Sequence, residues 1–363
     1  MKTTRAIIVG GFLGAGKTTL LFEATKRLMG KGLKVGLITN DQAPELVDTA
    51  LLLQTHVQVA EVSGSCFCCN FNGFIDSLQQ VKQESQADII IAEPVGSCTD
   101  LSATIMQPLK ELMNAELLIA PLTVLADPIR LSDILEGGTA GLHPSAAYIF
   151  SKQLEESDII LISKTDLLQP NEIEILKEKV KLHYPQADVL AISSKTCDGL
   201  DEWLQKILTS TVSGQHIVDV DYKKYAEGEA VLGWLNGTIS LRGEDVNWDS
   251  FAKNFLTQLG EKIDQIEVAV GHIKIMLESG TSYLVGNLTG NLATLNIRGK
   301  VGVSNQAQII INARVGISPD TLEQLVKDTL DFAVGSSISL TTKAWKCLSP
   351  GYPNPTHRYS KVV

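Results

Sequence analysis

Gly11-Phe12-Leu13-Gly14-Ala15-Gly16-Lys17-Thr18 is the stretch whose reading decides the fold. It matches G-x-x-x-x-G-K-[ST], in which glycines let the backbone turn so that successive N–H groups point at phosphate oxygens. The motif lies between Arg5 to Val9, an apolar run read as a strand, and Lys17 to Met29, read as a helix ended by Gly30 and Gly32. That order aims the positive end of a helix at an anion. Gly11, Gly14, Ala15 and Gly16 would cradle the phosphates together with Thr19. Lys17 would neutralise the β- and γ-phosphates, and Thr18 would give its hydroxyl to Mg²⁺. The stretch reads as a nucleoside-triphosphate site.

Working outward, short apolar strands alternate with helical segments up to about residue 210, the pattern of a parallel sheet covered by helices. Lys34 to Thr39 and His56 to Val62 read as strands. Asp88 to Ala92, Asp158 to Ile162 and Asp188 to Ile192 follow, the first two as bare apolar runs suited to burial on both faces. Helices are expected over Asn171 to His183 and Leu200 to Leu208. The fold class is therefore α/β, a doubly wound, mostly parallel sheet over residues 1–210. Residues 211–228 are polar and aperiodic and read as a linker. A smaller α+β domain over 229–345 follows, with strand-like Ala230 to Leu241, helical Trp248 to Ile263, strand-like Ile266 to Leu277, further strands around Tyr283, Leu295 and Ile310, and a helix Thr321 to Phe332. That order suggests a ferredoxin-like layer. The tail 346–363 carries Pro350, Pro353 and Pro355 and cannot be helix or central strand.

Composition narrows the partners. The 363 residues carry 31 basic and 41 acidic side chains, a net charge of −10, which argues against nucleic acid or an anionic membrane as the main partner. An apolar share of 44% excludes disorder as a description of the whole chain. The richest apolar run, Leu117 to Ala126, contains Pro121 and falls short of the roughly 18 residues of a membrane span. Lys2 and Arg5 before Ala6 to Val9 resemble a signal peptide, but Lys17 interrupts the pattern and no cleavage site follows. A cytoplasmic location is expected.

Two further constellations complete the nucleotide site. Glu93 ends the strand Asp88 to Ala92 and begins E-P-V-G, so Glu93 is assigned to the Mg²⁺ shell and the Gly96 N–H to the γ-phosphate. Asp41 is the second acidic candidate. Ser163-Lys164-Thr165-Asp166 reads as an [NT]-K-x-D guanine motif with serine in first place. Guanine offers two adjacent donors, N1–H and the 2-amino group, and Asp166 accepts both; adenine would leave a carboxylate unpaired. Lys164 would lie against the base, and Ser193, Ser194 and Lys195 would meet guanine O6. The nucleotide is expected to be GTP.

Cys66, Cys68 and Cys69 crowd into S-C-F-C-C-N, between the strand His56 to Val62 and a helix beginning near Phe71. Three thiols in four positions are a soft set suited to Zn²⁺ or a similar ion, and a nearby helix N-terminus favours thiolate. Two or three sulfurs plus a carboxylate from Asp41, Asp48 or Glu61 is the expected arrangement. Buried apolar thiols and a metal-free redox pair are the other readings. Cys98 reads as a small buried residue close to the γ-phosphate turn, Cys197 and Cys347 as structural, and His272 as a strand residue.

With these residues in hand, the chain resembles the CobW/HypB/UreG family of P-loop GTPases, its CobW-like branch in particular. The resemblance covers about residues 4–210 and rests on G-G-F-L-G-A-G-K-T-T, G-S-C-F-C-C, the E-x-x-G turn, Q-L-E-E-S-D-I-I-L-I-S-K-T-D and S-S-K. It implies slow GTP hydrolysis, with Lys17, Thr18 and Glu93 as the working residues, coupled to delivery of a transition metal (Zn²⁺, or Co²⁺ or Ni²⁺) to a client metalloprotein. It also implies a metal-ligand role for Asp41, which with Asn40 stands where the family has Asn-Glu and precedes Gln42-Ala43-Pro44-Glu45. Two alternatives stay open: a GTPase loading or reactivating a corrinoid protein of a methyltransferase system, and a GTP-dependent redox or metal sensor. A nucleotide- or metal-dependent homodimer is a further expectation.

Overall fold

The structure, a computed structural model, describes residues 3–44 and 46–363; Lys2 and Glu45 lie outside the described residues. It divides into two units. The first gathers the described residues up to Gln42 with Leu52–Gly228 and Tyr352–Val363. The second holds Glu229–Gly351 with the described residues of Ala43–Leu51.

In chain order the first unit contains β1 (Thr4–Gly10), α1 (Lys17–Gly30) and β2 (Val35–Asp41), then α2 (Val47–Leu53), which begins in the second unit. It continues with β3 (Gln58–Ser63), α3 (Phe71–Ser85), β4 (Ile89–Glu93), α4 (Gln107–Leu112), β5 (Leu117–Ile119) and β6 (Thr123–Ala126). The last elements are α5 (Pro128–Leu135), α6 (Pro144–Glu156), β7 (Ile159–Ile162), α7 (Pro170–His183), β8 (Asp188–Ala191), α8 (Leu200–Thr209) and α9 (Tyr222–Ala230). The strands form one parallel sheet in the order β3-β2-β4-β1-β6-β7-β8, with β5 also pairing β1. Its strands are apolar on both faces: Ile7, Val9, Leu37, Ile91, Leu125 and Leu161 are buried with Trp203 in one cluster, and the alternating Ile8, Ile38, Ile90, Val124 and Ile160 are buried on the other face. Because every strand runs the same way, the loops after β1, β2, β3, β4, β7 and β8 all leave from one edge. In open α/β sheets that edge is where ligands bind.

The second unit contains β9 (Gly233–Asn247), α10 (Trp248–Ile266), β10 (Val270–Ser279), β11 (Ser282–Leu288), β12 (Asn296–Gly299), β13 (Val303–Val315), α11 (Pro319–Val334) and β14 (Ile338–Leu348). Its antiparallel sheet has the order β12-β11-β10-β13-β9-β14. β9, β10, β13 and β14 with α10 and α11 follow the ferredoxin-like βαββαβ path, and β11 and β12 extend the sheet beyond β10. Phe251, Phe255, Leu259 and Ile263 of α10 pack with Ile273, Ile275, Ile309 and Ile311. The segment 43–51 is held here by polar bonds: Asn236 Nδ2 donates to the Ala43 and Pro44 carbonyls, and Val47 N–H donates to Asn312 Oδ1 at 2.7 Å.

Two expectations need correction. Residues 211–228 are not a free linker; they group with the first unit and include most of α9, with Tyr225 buried. The run Leu117 to Ala126, expected only to fall short of a membrane span, contains two strands, β5 and β6, separated by Pro121, which offers no N–H to a ladder. The second domain extends past residue 345, since β14 pairs with β9 as far as Leu348 opposite Trp234.

One buried carboxyl has a consequence for stability. Glu156, at the end of α6, is fully buried and accepts from Thr99 Oγ1 (3.0 Å) and the Ser102 amide (2.8 Å). Burial raises its pKa from 4.5 to about 8, against those bonds and with help from nearby Asp100. A carboxyl raised on folding holds its proton in the folded chain while the unfolded chain has lost it, so stability falls as pH rises through that window. Glu156→Gln keeps the shape, with one acceptor and one donor for the same two neighbours. The variant is expected to match the native protein near about pH 5 and to exceed its stability by a few kcal/mol at about pH 9. Denaturant unfolding at both pH values checks this; parallel pH profiles for the two proteins would contradict it.

Candidate nucleotide site and thiol centre

The motif loop leaves β1 and enters α1 as the sequence reading requires. Gly11 adopts φ 127° and Gly16 φ 98°, conformations that side chains resist. A Cβ on Gly11 would also strike the Leu125 backbone. Lys17 and Thr18 begin α1 and are buried. Lys17 Nζ donates to the Gly11 carbonyl at 2.7 Å and lies 4.0 Å from Glu93 Oε1. Thr18 Oγ1 donates to the same Glu93 oxygen at 3.2 Å. Glu93 ends β4, so register between β1 and β4 (Ile8 opposite Ala92) is what brings the carboxylate to the motif loop. A hydroxyl and a carboxylate at this spacing are an oxygen pair suited to Mg²⁺ and its waters.

Gly96 is buried hard against the motif loop: an added Cβ would come within 2.7 Å of Leu13 Cδ2 and 3.0 Å of Lys17 Nζ. Gln153 of α6 donates to the carbonyls of Gly96 (3.0 Å) and Cys98 (2.7 Å), holding the turn from behind. Asp41 ends β2 opposite Ser63 of β3 and is buried; its carbonyl accepts from the Gly64 amide.

Ser163, Lys164 and Asp166 follow β7, and Ser193, Ser194 and Lys195 follow β8, its parallel neighbour. The two elements meet. Ser193 Oγ donates to Asp166 Oδ1 at 2.7 Å, and Lys195 Nζ stands 3.5 Å from Asp166 Oδ2. Ser163 is buried with its hydroxyl on the Ala126 carbonyl. Lys164 adopts φ 54° and extends to Asp127 Oδ2 at 2.7 Å. Burial opposes ionisation of Asp127, but Lys164 and the Arg130 amide outweigh it and hold the carboxyl below its ordinary range. Asp127 and Arg130 were not found by sequence reasoning. Arg130 Nη1 donates to the Leu13 carbonyl at 2.8 Å and its guanidinium faces the Phe12 ring, so α5 braces the motif loop from outside. The signal was the Asp127-Pro128 start of a helix, a strong N-cap pattern.

The cysteines converge as the spacing suggested. Cys66 Sγ lies 3.0 Å from Cys68 Sγ and 3.1 Å from Cys69 Sγ, and the last two are 3.8 Å apart. Four sulfurs around Zn²⁺ would sit about 3.8 Å from one another, given a Zn–S length near 2.3 Å. The cluster is thus tighter than a loaded site by less than 1 Å on two edges. Hydrogen bonds from Cys68, Cys69 and Cys98 hold the Cys66 thiol well below its ordinary pKa. Cys66, Cys69 and Cys98 push Cys68 well above it, and Cys66 with burial pushes Cys69 up to about 11. Cys98 is buried and bears on the ionisation of both Cys66 and Cys68, although it is not among the three sulfurs that converge within 4.8 Å. No carboxylate joins the three sulfurs within the same 4.8 Å span among the described residues. Asp48, one of the expected oxygen donors, instead pairs with Lys274 at 2.6 Å in the second unit. Cys347 lies in β14 with its thiol on the Pro319 carbonyl, Cys197 is half-buried after β8, and His272 is a buried strand residue of β10.

What fixes the cysteine loop is Asn40, the residue before Asp41. Its Nδ2 donates to the Val62 and Ser65 carbonyls, both at 2.8 Å, and its Oδ1 accepts from the Phe67 amide at 2.8 Å. One of these bonds goes to β3 and the other two to the turn carrying the thiols, so Asn40 ties the end of β2 to the cysteine loop. Asn70 then caps α3 through the Gly73 amide, and Phe67 stacks on Phe74.

The chain is similar to known proteins over the part that carries the motif loop and the clustered cysteines. A family model described as CobW/HypB/UreG, nucleotide-binding domain, matches residues 5–191. The chain is 24% identical over 260 residues to zinc-regulated GTPase metalloprotein activator 1 of Dictyostelium discoideum, covering 64% of this chain and 52% of that protein. It is 25% identical over 201 residues to a zinc chaperone CobW of Sinorhizobium sp, covering 48% of this chain and 54% of that protein. The chain spans about half the length of these curated relatives. Among solved structures, HypB from Helicobacter pylori in complex with nickel aligns with a TM-score of 0.43 at 18% identity, covering 57% of this chain and 86% of that one. No described helix is long and apolar enough to cross a membrane. With its family-model match running from β1 through β8, more than half its length, the chain belongs to the CobW/HypB/UreG family.

Proposed function

We propose that this protein is a GTP-hydrolysing metallochaperone, which holds a transition metal on Cys66, Cys68 and Cys69 and passes it to a client metalloprotein in the cytoplasm. The observation that supports the proposal is the convergence of the three thiols within 4.8 Å of one another, in the loop after β3 on the same sheet edge as the phosphate loop. The printed names of the relatives speak of zinc, which supports Zn²⁺ as the cargo here.

On this reading the backbone of Gly11, Gly14, Ala15 and Gly16 receives the phosphates, with Thr19 in the first turn of α1. Lys17 leaves the Gly11 carbonyl to neutralise the β- and γ-phosphates. Thr18 and Glu93 hold Mg²⁺, with Asp41 as a further acidic group. Asp166, Lys164, Ser163, Ser193, Ser194 and Lys195 read the guanine. The Gly96 N–H meets the γ-phosphate, and Cys98, on the same turn, carries its position to the thiols. Hydrolysis to GDP and phosphate removes that contact and loosens the turn, so metal affinity differs between the two nucleotide states. By linkage, bound metal alters GTP affinity by the same factor.

The test compares Zn²⁺, Co²⁺ and Ni²⁺ binding at matched free-metal concentrations with a non-hydrolysable GTP analogue, with GDP and without nucleotide. Stronger binding in one nucleotide state, abolished when all three cysteines become serine, is expected. Identical binding in every state would remove the coupling and leave a nucleotide-binding protein with an independent thiol site.

A further inference from the structure

Segment 352–363 is free of helix and strand, yet it belongs to the first unit and is tied down along its length. Pro353 and Pro355 have no N–H, so Asn354 is the one amide donor of that triplet, and it donates to Cys69 Sγ at 3.2 Å. Two residues on, the Thr356 amide donates to the Cys68 carbonyl at 2.8 Å and its hydroxyl to the Cys69 carbonyl at 3.3 Å. Pro353 is buried, and His357 meets the edge of the Phe71 ring at 5.0 Å. The chain therefore crosses directly over the Cys68–Cys69 peptide.

Its far end is fastened to a different loop. Arg358 Nε donates to Asp100 Oδ2 at 2.6 Å, and Arg358 Nη2 donates to the Val218 carbonyl at 3.1 Å. Asp100 is buried, adopts φ 64° and also accepts from Tyr222 Oη at 2.8 Å. It stands two residues after Cys98 and four after Gly96, on the stretch that leaves the γ-phosphate turn. The Tyr359 amide adds a bond to the Ala103 carbonyl at 3.0 Å. One short, proline-stiffened piece of chain thus spans the thiol loop and the loop downstream of Gly96.

We propose that residues 353–359 form a retaining strap for the metal. The Asn354 amide positions the Cys69 sulfur, and the Arg358–Asp100 pair is the latch that keeps the strap across the thiols. The inference rests on the reading of Cys66, Cys68 and Cys69 as metal ligands. In its terms Asn354 and Arg358 are positioning residues, and an ion leaves the thiols only while the latch is open. Because Asp100 follows the γ-phosphate turn, a shift of that turn is also a pull on the latch.

The full chain is compared with Arg358→Gln, Arg358→Lys, Asn354→Pro and Asn354→Ala. Two readouts are used: release of Co²⁺ to a chelator, followed by its thiolate-to-cobalt absorption, and the alkylation rate of Cys69 in metal-free protein, mapped by peptide mass. Loss of a charge-assisted bond predicts about 10- to 100-fold faster Co²⁺ release in Arg358→Gln, with the thiolate band unchanged in position and Cys69 alkylated correspondingly faster. Asn354→Pro, which removes the N–H, behaves the same way. Asn354→Ala, which keeps it, matches the native protein, and Arg358→Lys recovers most of the retention. Thermal unfolding confirms that the variants are folded. If native protein shows the thiolate band but release and alkylation are unchanged in both Arg358→Gln and Asn354→Pro, the strap is wrong. If native protein shows no thiolate band, the metal reading fails, and alkylation alone decides: faster modification in the two variants sustains the strap as a thiol cover, and equal rates overturn it.

Discussion

Asp166→Asn is expected to weaken GTP binding by about 10²- to 10³-fold while leaving the phosphate site intact. A carboxylate accepts from both the N1–H and the 2-amino group of guanine, whereas an amide offers one acceptor and one donor. The donor then faces the guanine 2-amino group, so two charge-assisted bonds become one neutral bond and one clash of hydrogens. The same change suits xanthine, which presents N1–H beside a 2-oxo acceptor. Xanthosine triphosphate is therefore expected to bind the variant better than GTP. Ser193 supports this outcome, since its hydroxyl donates to Asp166 Oδ1 at 2.7 Å and can donate equally to an amide oxygen, fixing the flip. Competition binding with the two triphosphates is the measurement. Equal loss of both would mean that the substitution disturbs the β7 and β8 loops rather than the base edge, and unchanged GTP affinity would remove Asp166 from the site.

The first unit was legible because its strands are buried on both faces and bounded by glycine, proline and charged residues. Ile89–Glu93 and Ile159–Ile162 lie within a residue of their expected positions for that reason. The stretch from residue 99 to 157 was not legible. α4 and α5 are short, all three helices carry proline in their first two positions, and buried polar groups such as Gln107, Gln153 and Glu156 blur the apolar period. The motifs came through as local patterns, but their supports did not. Asn40 serves the cysteine loop from 25 residues away in sequence at Ser65, and Arg358 reaches Asp100 across 258 positions. Such pairs leave no periodic trace. Cys98 was hidden for the same reason, since a lone cysteine after a turn looks like any small buried residue until the fold brings it to Cys66 and Cys68.

On the proposed function, Asn40 and Cys98 together give the coupling a physical form. One side of the thiol cluster is bonded to the end of β2, and the other touches the turn that carries Gly96. Each of these loops leaves the sheet beside the phosphate loop, β2 and β1 both flanking β4. A nucleotide that draws Gly96 toward its γ-phosphate moves one wall of the thiol site relative to the other. Three sulfurs standing 3.0 to 3.8 Å apart have to spread slightly to hold an ion, so a displacement of a few tenths of an ångström is enough to change affinity.

Cys66→Ser tests that form most severely. Cys66 is the hub of the cluster, the only one of the three whose sulfur lies within 3.1 Å of both others, and those contacts lower the pKa of its thiol. A serine hydroxyl stays protonated at neutral pH and is a hard, weak ligand for Zn²⁺ or Co²⁺. Metal affinity in the GTP-analogue state is expected to fall by about 10³-fold or more. GTP affinity without metal is expected to stay within about two-fold of native, because none of the phosphate or guanine contacts runs through Cys66. The sharper expectation concerns linkage. If metal and GTP share a coupling free energy, removing the metal ligand must also remove the effect of metal on GTP affinity, by the same factor. Cys197→Ser, at a thiol outside the cluster, should change neither quantity. A Cys66→Ser protein that keeps its metal but loses nucleotide sensitivity would assign Cys66 to the coupling and not to the ion. One that loses its metal while metal-responsive GTP binding persists would place the cargo site elsewhere in the chain.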